Sequence, residues 1–383
     1  MALHFSNQEF LKRKTKVLQS MKEQNLDAIL MFRQESMYWL TGYDTFGYVF
    51  FQTLVLDNKG NLILLTRAPD LRQAQNTSNI EDIRIWIDKD GSNPTDDLKI
   101  ILDELSLKGK KIGVEYEAYG LTGRNTLRLN KSLQSYCNTD DQSELITKLR
   151  VIKSPEEIVY IKKAAELADQ ALNQAWKHAK AGASEAKILA EMQKIVLEGG
   201  GDYPANEYII GSGHNALLCR YQAEKRILSN TDQLSIEWAG TYKHYHSAMF
   251  RTITIGKSDP KHLKMHEACL EALQNCEKKL IPGNTVGEVF DAHAQTFDNL
   301  GYNKSRMNAC GYSLGSTFSP NWMDWPMLYT GNPYIISPGN VFFMHMILMD
   351  SDNNLAMNLG ETYLVTSNGN YRLGKQKLDL IVL

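Results

Sequence analysis

The chain has 383 residues, 43% hydrophobic and 22% charged, with 42 Lys and Arg against 44 Asp and Glu. That length favours two domains, and the charge balance argues against a nucleic-acid binder, which carries a basic excess. The composition is that of a globular chain, which excludes disordered, collagen-like and disulfide-built classes.

Gln8–Gln24 has helical spacing with Ser6 as its cap, and Lys12, Arg13, Lys14 and Lys16 interrupt any signal-peptide core. Asp27–Phe32 reads as a buried strand. Phe50–Leu56 and Leu62–Thr66 flank Asn58-Lys59-Gly60 as a hairpin. Ile83–Ile87 reads as a strand, Asp96–Leu105 as a helix and Lys111–Val114 as a strand, an alternation that predicts a small α/β domain. The polar stretch Asn138–Ser143 predicts a boundary, which divides the chain into 1–146 and 147–383. Beyond it, Ser154, Pro155 and Glu157 form a capping box that opens a long amphipathic helix. Ser184–Glu198 is a second helix, stopped by Gly199-Gly-Gly201. Gln233–Ala239 and Met249–Ile255 read as strands, Pro260–Lys279 and Val286–Leu300 as helices, and Val341–Met349 and Glu361–Thr366 as closing strands. This is an α+β layout with an internal pseudo-repeat. No apolar run approaches the roughly 20 residues that span a bilayer. The five scattered cysteines (Cys137, Cys219, Cys269, Cys276, Cys310) form no Cys-x-x-Cys pair and predict a reducing cytoplasm.

Several motifs fall in a recognisable order: Leu149-Arg-Val-Ile-Lys-Ser-Pro-Glu-Glu-Ile158, Ser212-Gly213 with Asn215, Tyr242-Lys-x-Tyr245 leading to Arg251-Thr252, Pro282-Gly283, Pro338-Gly339, and Leu364-Val365-Thr366 with Gly369. Tyr38–Tyr43 supplies a matching segment in the first domain. Together they resemble the creatinase/prolidase/aminopeptidase P (peptidase M24) family. The resemblance implies an N-terminal α/β domain, a C-terminal "pita-bread" catalytic domain and a homodimer.

The departures from that pattern direct the functional reading. Metal-dependent members carry five ligands. At the matching positions this chain has Glu237, Ala248, Tyr312, His345 and Gly360, the last beside Glu361. One carboxylate in five does not supply the bridging oxygens of a dinuclear site of hard ions, so neither metal nor cofactor is expected. A mononuclear site from Glu237, His246 and His345 stays open. Metal-free members that the resemblance brings in are creatinase and ectoine hydrolase. Ser235–Gly240 with Tyr245-His246, and Gly311–Gly315 leading to Pro320-Asn-Trp322, look like the ectoine-hydrolase side.

The reading that follows is a cytoplasmic, metal-independent hydrolase of a non-peptide C–N bond in a small nitrogen-rich carboxylate, ectoine or creatine in type. Glu237 is nucleophile or base, its competing role being a surface or salt-bridged Glu at a strand end. His246 shares a face with Ala248 by alternation, and it and His345 handle protons. Tyr312 donates to developing charge. Arg220, where the family commonly has its acid/base histidine, or Arg251 clamps a carboxylate, and His214 is a substitute proton donor. Trp322 and Trp325 form an aromatic wall suited to a cation; Glu361 also joins the substrate site. The resemblance further brings Arg67, Tyr43 and Phe46 of one protomer toward the neighbour's site. His262 and His266, one turn apart without the Glu of a zinc motif, read as a solvated face. Two alternatives remain: an atypical Xaa-Pro peptidase-type metallohydrolase or metal-dependent lyase, and a non-catalytic binding protein.

Overall fold

In the computed structural model, which describes residues 3–220 and 226–383, Ser6 accepts the Glu9 amide hydrogen and starts α1 (Asn7–Glu23). The chain then runs through β1 (Ala28–Met31), α2 (Gln34–Thr41), β2 (Thr53–Asp57), β3 (Leu62–Arg67), α3 (Leu71–Thr77), β4 (Asp82–Trp86), α4 (Pro94–Glu104), β5 (Lys111–Val114), α5 (Gly123–Leu133), β6 (Asn138–Asp141) and α6 (Leu145–Arg150). The sheet order is β4-β3-β2-β1-β5-β6, with β2 antiparallel to both its neighbours. Alternation along the strands feeds two cores. Leu30, Val55, Ile112 and Val114 pack with α4 and α5. Ile29, Met31, Leu54 and Leu64 pack on the opposite face with α1, α2, α3 and α6. The stretch read as a polar boundary is edge strand β6, paired with β5. Its side chains are largely exposed, so it carries no apolar signal. The chain divides into two units at Arg150–Val151.

The second unit opens with α7 (Pro155–His178), whose Ser154/Glu157 capping box is formed in full. It continues through α8 (Glu185–Glu198), β7 (Ile209–Ser212), β8 (Asp232–Tyr242), β9 (Tyr245–Ile255), α9 (Pro260–Lys279), α10 (Val286–Asn299), β10 (Gly311–Ser313), β11 (Asp324–Met327), β12 (Val341–Asp350), β13 (Leu355–Thr366), β14 (Gly369–Arg372) and β15 (Ile381–Val382). The main sheet runs β11-β10-β12-β13-β9-β8-β7. Lys243 and His244, both at positive φ, close the two-residue turn between β8 and β9.

The helices cover one face of this sheet. Trp238 donates its ring N–H to Ala168 O of α7, and Gly240 lies so close to α7 that a Cβ would stand 1.9 Å from Ala164 O. Phe342, Met344, Met346, Met357, Leu359 and Tyr363 pack with α9 and α10. The alternate residues point to the inner face. Both units mix helix and sheet as the α+β expectation required.

Candidate active site

Register decides which side chains meet on the inner face. Glu237 of β8 stands opposite Phe250 of β9, and Phe250 opposite Gly360 of β13. Gly360 pairs with His345 of β12, and Phe343 of β12 pairs with Tyr312 of β10. Side chains directly opposite share a face, so Glu237, Phe250, Phe343, His345 and Tyr312 line one surface. The Tyr312 hydroxyl donates to Glu237 Oε1 at 3.3 Å and accepts the ring N–H of Trp322 at 2.8 Å. Burial pushes the Glu237 carboxyl up to about 7, against the Tyr312 hydrogen bond and the Arg220 charge, which lower it. Burial and the neighbouring carboxylate raise the Tyr312 hydroxyl well above its ordinary value, so it keeps its proton.

His345 is pushed down to about 4 by burial, which leaves a neutral imidazole. Its ring lies 5.7 Å from Tyr312 and 5.3 Å from Phe343, centroid to centroid, and its buried Nδ1 has no hydrogen-bond partner among the described residues. Asn358, two residues before Gly360 on the same face, donates Nδ2 to Ser235 Oγ and Thr252 Oγ1 at 2.8 and 3.1 Å. Its Oδ1 is a buried acceptor with no partner among the described residues. Sequence reasoning missed Asn358, although alternation from Gly360 points to it. Arg220 is exposed, and its charge acts on Glu237, Tyr312 and His345 together.

Other expected site residues belong elsewhere. His246 does share the inner face with Ala248, but it is fully buried with both nitrogens engaged. Nε2 accepts the Ala205 amide hydrogen at 2.9 Å, so Nδ1 carries the proton and donates to Thr317 Oγ1 at 3.2 Å. Burial drives it down to about 3. It positions a loop and is corrected as a proton carrier. Arg251 and Glu361 face the helices, since Arg251 pairs with Leu359 and Glu361 with Met344. They form a buried ion pair, and Arg251 Nη1 also donates to Phe250 O and Gly360 O at 2.9 and 2.8 Å. Neither is a substrate ligand on the inner face.

Tyr43 is fully buried in the first unit, its hydroxyl donating to Gln52 Oε1 at 3.1 Å, and so reaches no neighbour. Arg67 is held by Asp88 at 2.8 Å and lies 4.0 Å over the Phe50 ring, while Phe46 is 74% exposed. Trp325 packs edge-on against Tyr334, 5.1 Å away, whereas Trp322 bonds Tyr312; the two indoles do not make one wall. His214 is exposed on a short 3-10 turn (Gly213–Leu217). His262 and His266 are not solvated: Nε2 of each is hydrogen-bonded, to Gln233 Oε1 at 2.9 Å and to Leu378 O at 2.8 Å.

The donor set does not fit a pair of divalent ions. Ala248 has no donor, Tyr312 is a protonated phenol, and a Cβ at Gly360 would lie 2.8 Å from the Phe343 ring and 2.9 Å from Phe250 Cβ. The Phe343 ring thus fills space that an acidic side chain at 360 would need. His246, with both nitrogens committed, is no ligand for a mononuclear site. Among the described residues no three His, Cys, Asp or Glu side chains converge on a metal position.

Comparison with known proteins supports this topology and its ancestry. Residues 159–367 match the metallopeptidase family M24, and residues 13–152 match the creatinase/prolidase N-terminal domain. The chain is 25% identical over 385 residues to an ectoine hydrolase from Halomonas elongata, covering 96% of each. It is also 25% identical over 371 residues to a Xaa-Pro dipeptidase from Pyrococcus horikoshii, covering 96% of this chain and 97% of the other. A prolidase structure from Thermococcus sibiricus superposes with a TM-score of 0.88 at 20% identity, over 99% of this chain and 100% of that one. The second unit therefore has the pita-bread fold.

Proposed function

This chain belongs to the metallopeptidase family M24 and is a hydrolase of C–N bonds, and we propose that it acts without a metal on a non-peptide bond, an amidine or amide, in a small nitrogen-rich carboxylate such as ectoine. The observation that carries this reading is the substitution of the metal-ligand positions around one carboxylate, Glu237, hydrogen-bonded to Tyr312 and poised near 7.

Opening an amidinium consumes one water. Ionised Glu237 takes a proton from water as its oxygen bonds to the amidinium carbon, giving a neutral tetrahedral adduct. The protonated carboxyl returns that proton to the departing nitrogen as the C–N bond breaks. The carbonyl forms as the adduct hydroxyl loses its proton to the same nitrogen, so an amide and an ammonium leave. The placement equally serves direct attack by the carboxylate on the carbon. Tyr312 holds the Glu237 oxygen in place. Arg220 pairs with the substrate carboxylate. The neutral His345 and the Asn358 Oδ1 accept N–H groups of the substrate. The five free cysteines accord with a reducing cytoplasm, and among the described residues no helix is long and apolar enough to cross a membrane. A homodimer meeting through the exposed Phe46, Val49, Phe50 and Ile87 of the first unit completes the reading.

The test offers ectoine and Xaa-Pro dipeptides to chelator-treated protein, with and without manganese, following products by proton NMR. Ectoine opening should persist after chelation and fall at least about a hundredfold in Glu237→Gln. Manganese-dependent dipeptide cleavage would establish the peptidase alternative instead. Absence of any turnover, with a stable protein partner in pull-downs, would favour the binding protein.

A further inference from the structure

The first unit contains a crevice that the chemistry of the second does not use. β1 and β5 are adjacent and parallel, and they send the chain to opposite faces of the sheet. β1 leads into α2, on the face of α1, α3 and α6, while β5 leads into α5, beside α4. Divergence of this kind opens a ligand crevice beyond the carboxyl ends of the two strands. A cavity of about 270 Å³ lies there, lined by residues 32–35 after β1, by Tyr48, and by residues 117–120 after β5. That is close to the lower end of the ~300–1,000 Å³ typical of small-molecule sites. Its wall is closely built: a Cβ at Gly120 would stand 2.1 Å from Tyr48 O, so only glycine lets the two segments meet.

The charges around the cavity select its ligand. Arg33 is already engaged, its Nη1 donating to Thr147 Oγ1 at 3.2 Å and its Nε lying 3.8 Å from Glu35. The buried Glu115 carboxylate beneath it is satisfied by the Phe32 and Arg33 amides and the Ser36 hydroxyl. Glu117 differs: its backbone is fixed by Ser143, but its exposed carboxylate has no hydrogen bond or ion pair among the described residues. Tyr119, two residues on, is 62% exposed. A carboxylate with no partner among the described residues, beside phenol rings and with the Arg33 guanidinium already engaged, is the recognition chemistry of an organic cation. We propose that this cavity binds a small organic cation, an amine or amidinium, with Glu117 as its counter-ion and Tyr119 as its aromatic face.

Benzamidine is the probe, titrated calorimetrically into the full chain carrying Glu237→Gln. That background removes the counter-ion of the second unit, and the fate of the hydrolase reading is scored separately by turnover. Saturable binding of one benzamidine per chain is expected, weakened at least about tenfold by adding Glu117→Gln and likewise by adding Tyr119→Ala. Both are exposed positions, and unchanged circular dichroism confirms folding. No saturable binding, or an affinity indifferent to both additions, overturns the proposal.

Discussion

Glu237 combines two demands that pull on its proton in opposite directions. Burial raises its carboxyl and Tyr312 and Arg220 lower it; burial wins, leaving it at about 7. If the ionised form acts, kcat/KM rises about tenfold per pH unit below 7 and levels above it. Tyr312→Phe removes a hydrogen bond that favours the carboxylate, so the inflection moves to higher pH. The same group bears on stability. A carboxyl raised above its unfolded value contributes stability that is complete below about pH 4.5 and is lost as pH climbs through 7. Glu237→Gln carries no charge to bury, so at about pH 8 it should be more stable than the parent by roughly 1–3 kcal/mol, with no gain at about pH 4. Urea unfolding at the two pH values checks this; equal gains at both would show that the Glu237 charge is not the cause. His246, His293 and His345 have the opposite sign, since desolvation lowers all three and their contribution fades as pH falls below about 6.5.

The strands explain how far such a site was legible. Alternation along β9 put His246 and Ala248 on one face, and the structure agrees. The role of His246 was not legible, because it depends on the amide of Ala205, brought in by tertiary folding. Glu361 shows a sharper lesson: standing next to Gly360 in a strand means facing the other way, so the carboxylate neighbouring the lost ligand is spent on Arg251. β13 begins at Leu355, earlier than read, and that omitted stretch contains Asn358. β6 was hidden because a solvated edge strand lacks apolar periodicity. Gly240 looked like one glycine among many, yet it sets the spacing of α7 on β8. Gly240→Ala places a methyl 1.9 Å from Ala164 O and 2.5 Å from Ala168 N, neither of which yields without moving the helix. A loss of about 3 kcal/mol or more is expected. A urea midpoint within experimental error of the parent would mean that α7 shifts freely over the sheet.

Across the whole chain, the alternating elements of the first 150 residues and the helix-backed strands of the remainder build their hydrophobic cores separately. In the first unit Leu30, Ile112 and Val114 close against α4 and α5, and Ile29, Met31 and Leu54 against α1 and α2. In the second, Phe342, Met344 and Met346 close against α9 and α10. Each unit is within the size range of independently folding domains and closes its hydrophobic core from its own sequence. Cooperativity depends on shared buried contacts, so cores closed within each unit predict unfolding in two steps. The expected outcome in urea is a near-ultraviolet circular dichroism transition that does not coincide with loss of far-ultraviolet signal. Glu237→Gln and Gly240→Ala, both in the second unit, should move only one of the two steps, upward at about pH 8 for the first and downward for the second. If both steps move together, or if a single transition fits every probe, the two units fold as one cooperative body despite their separate cores.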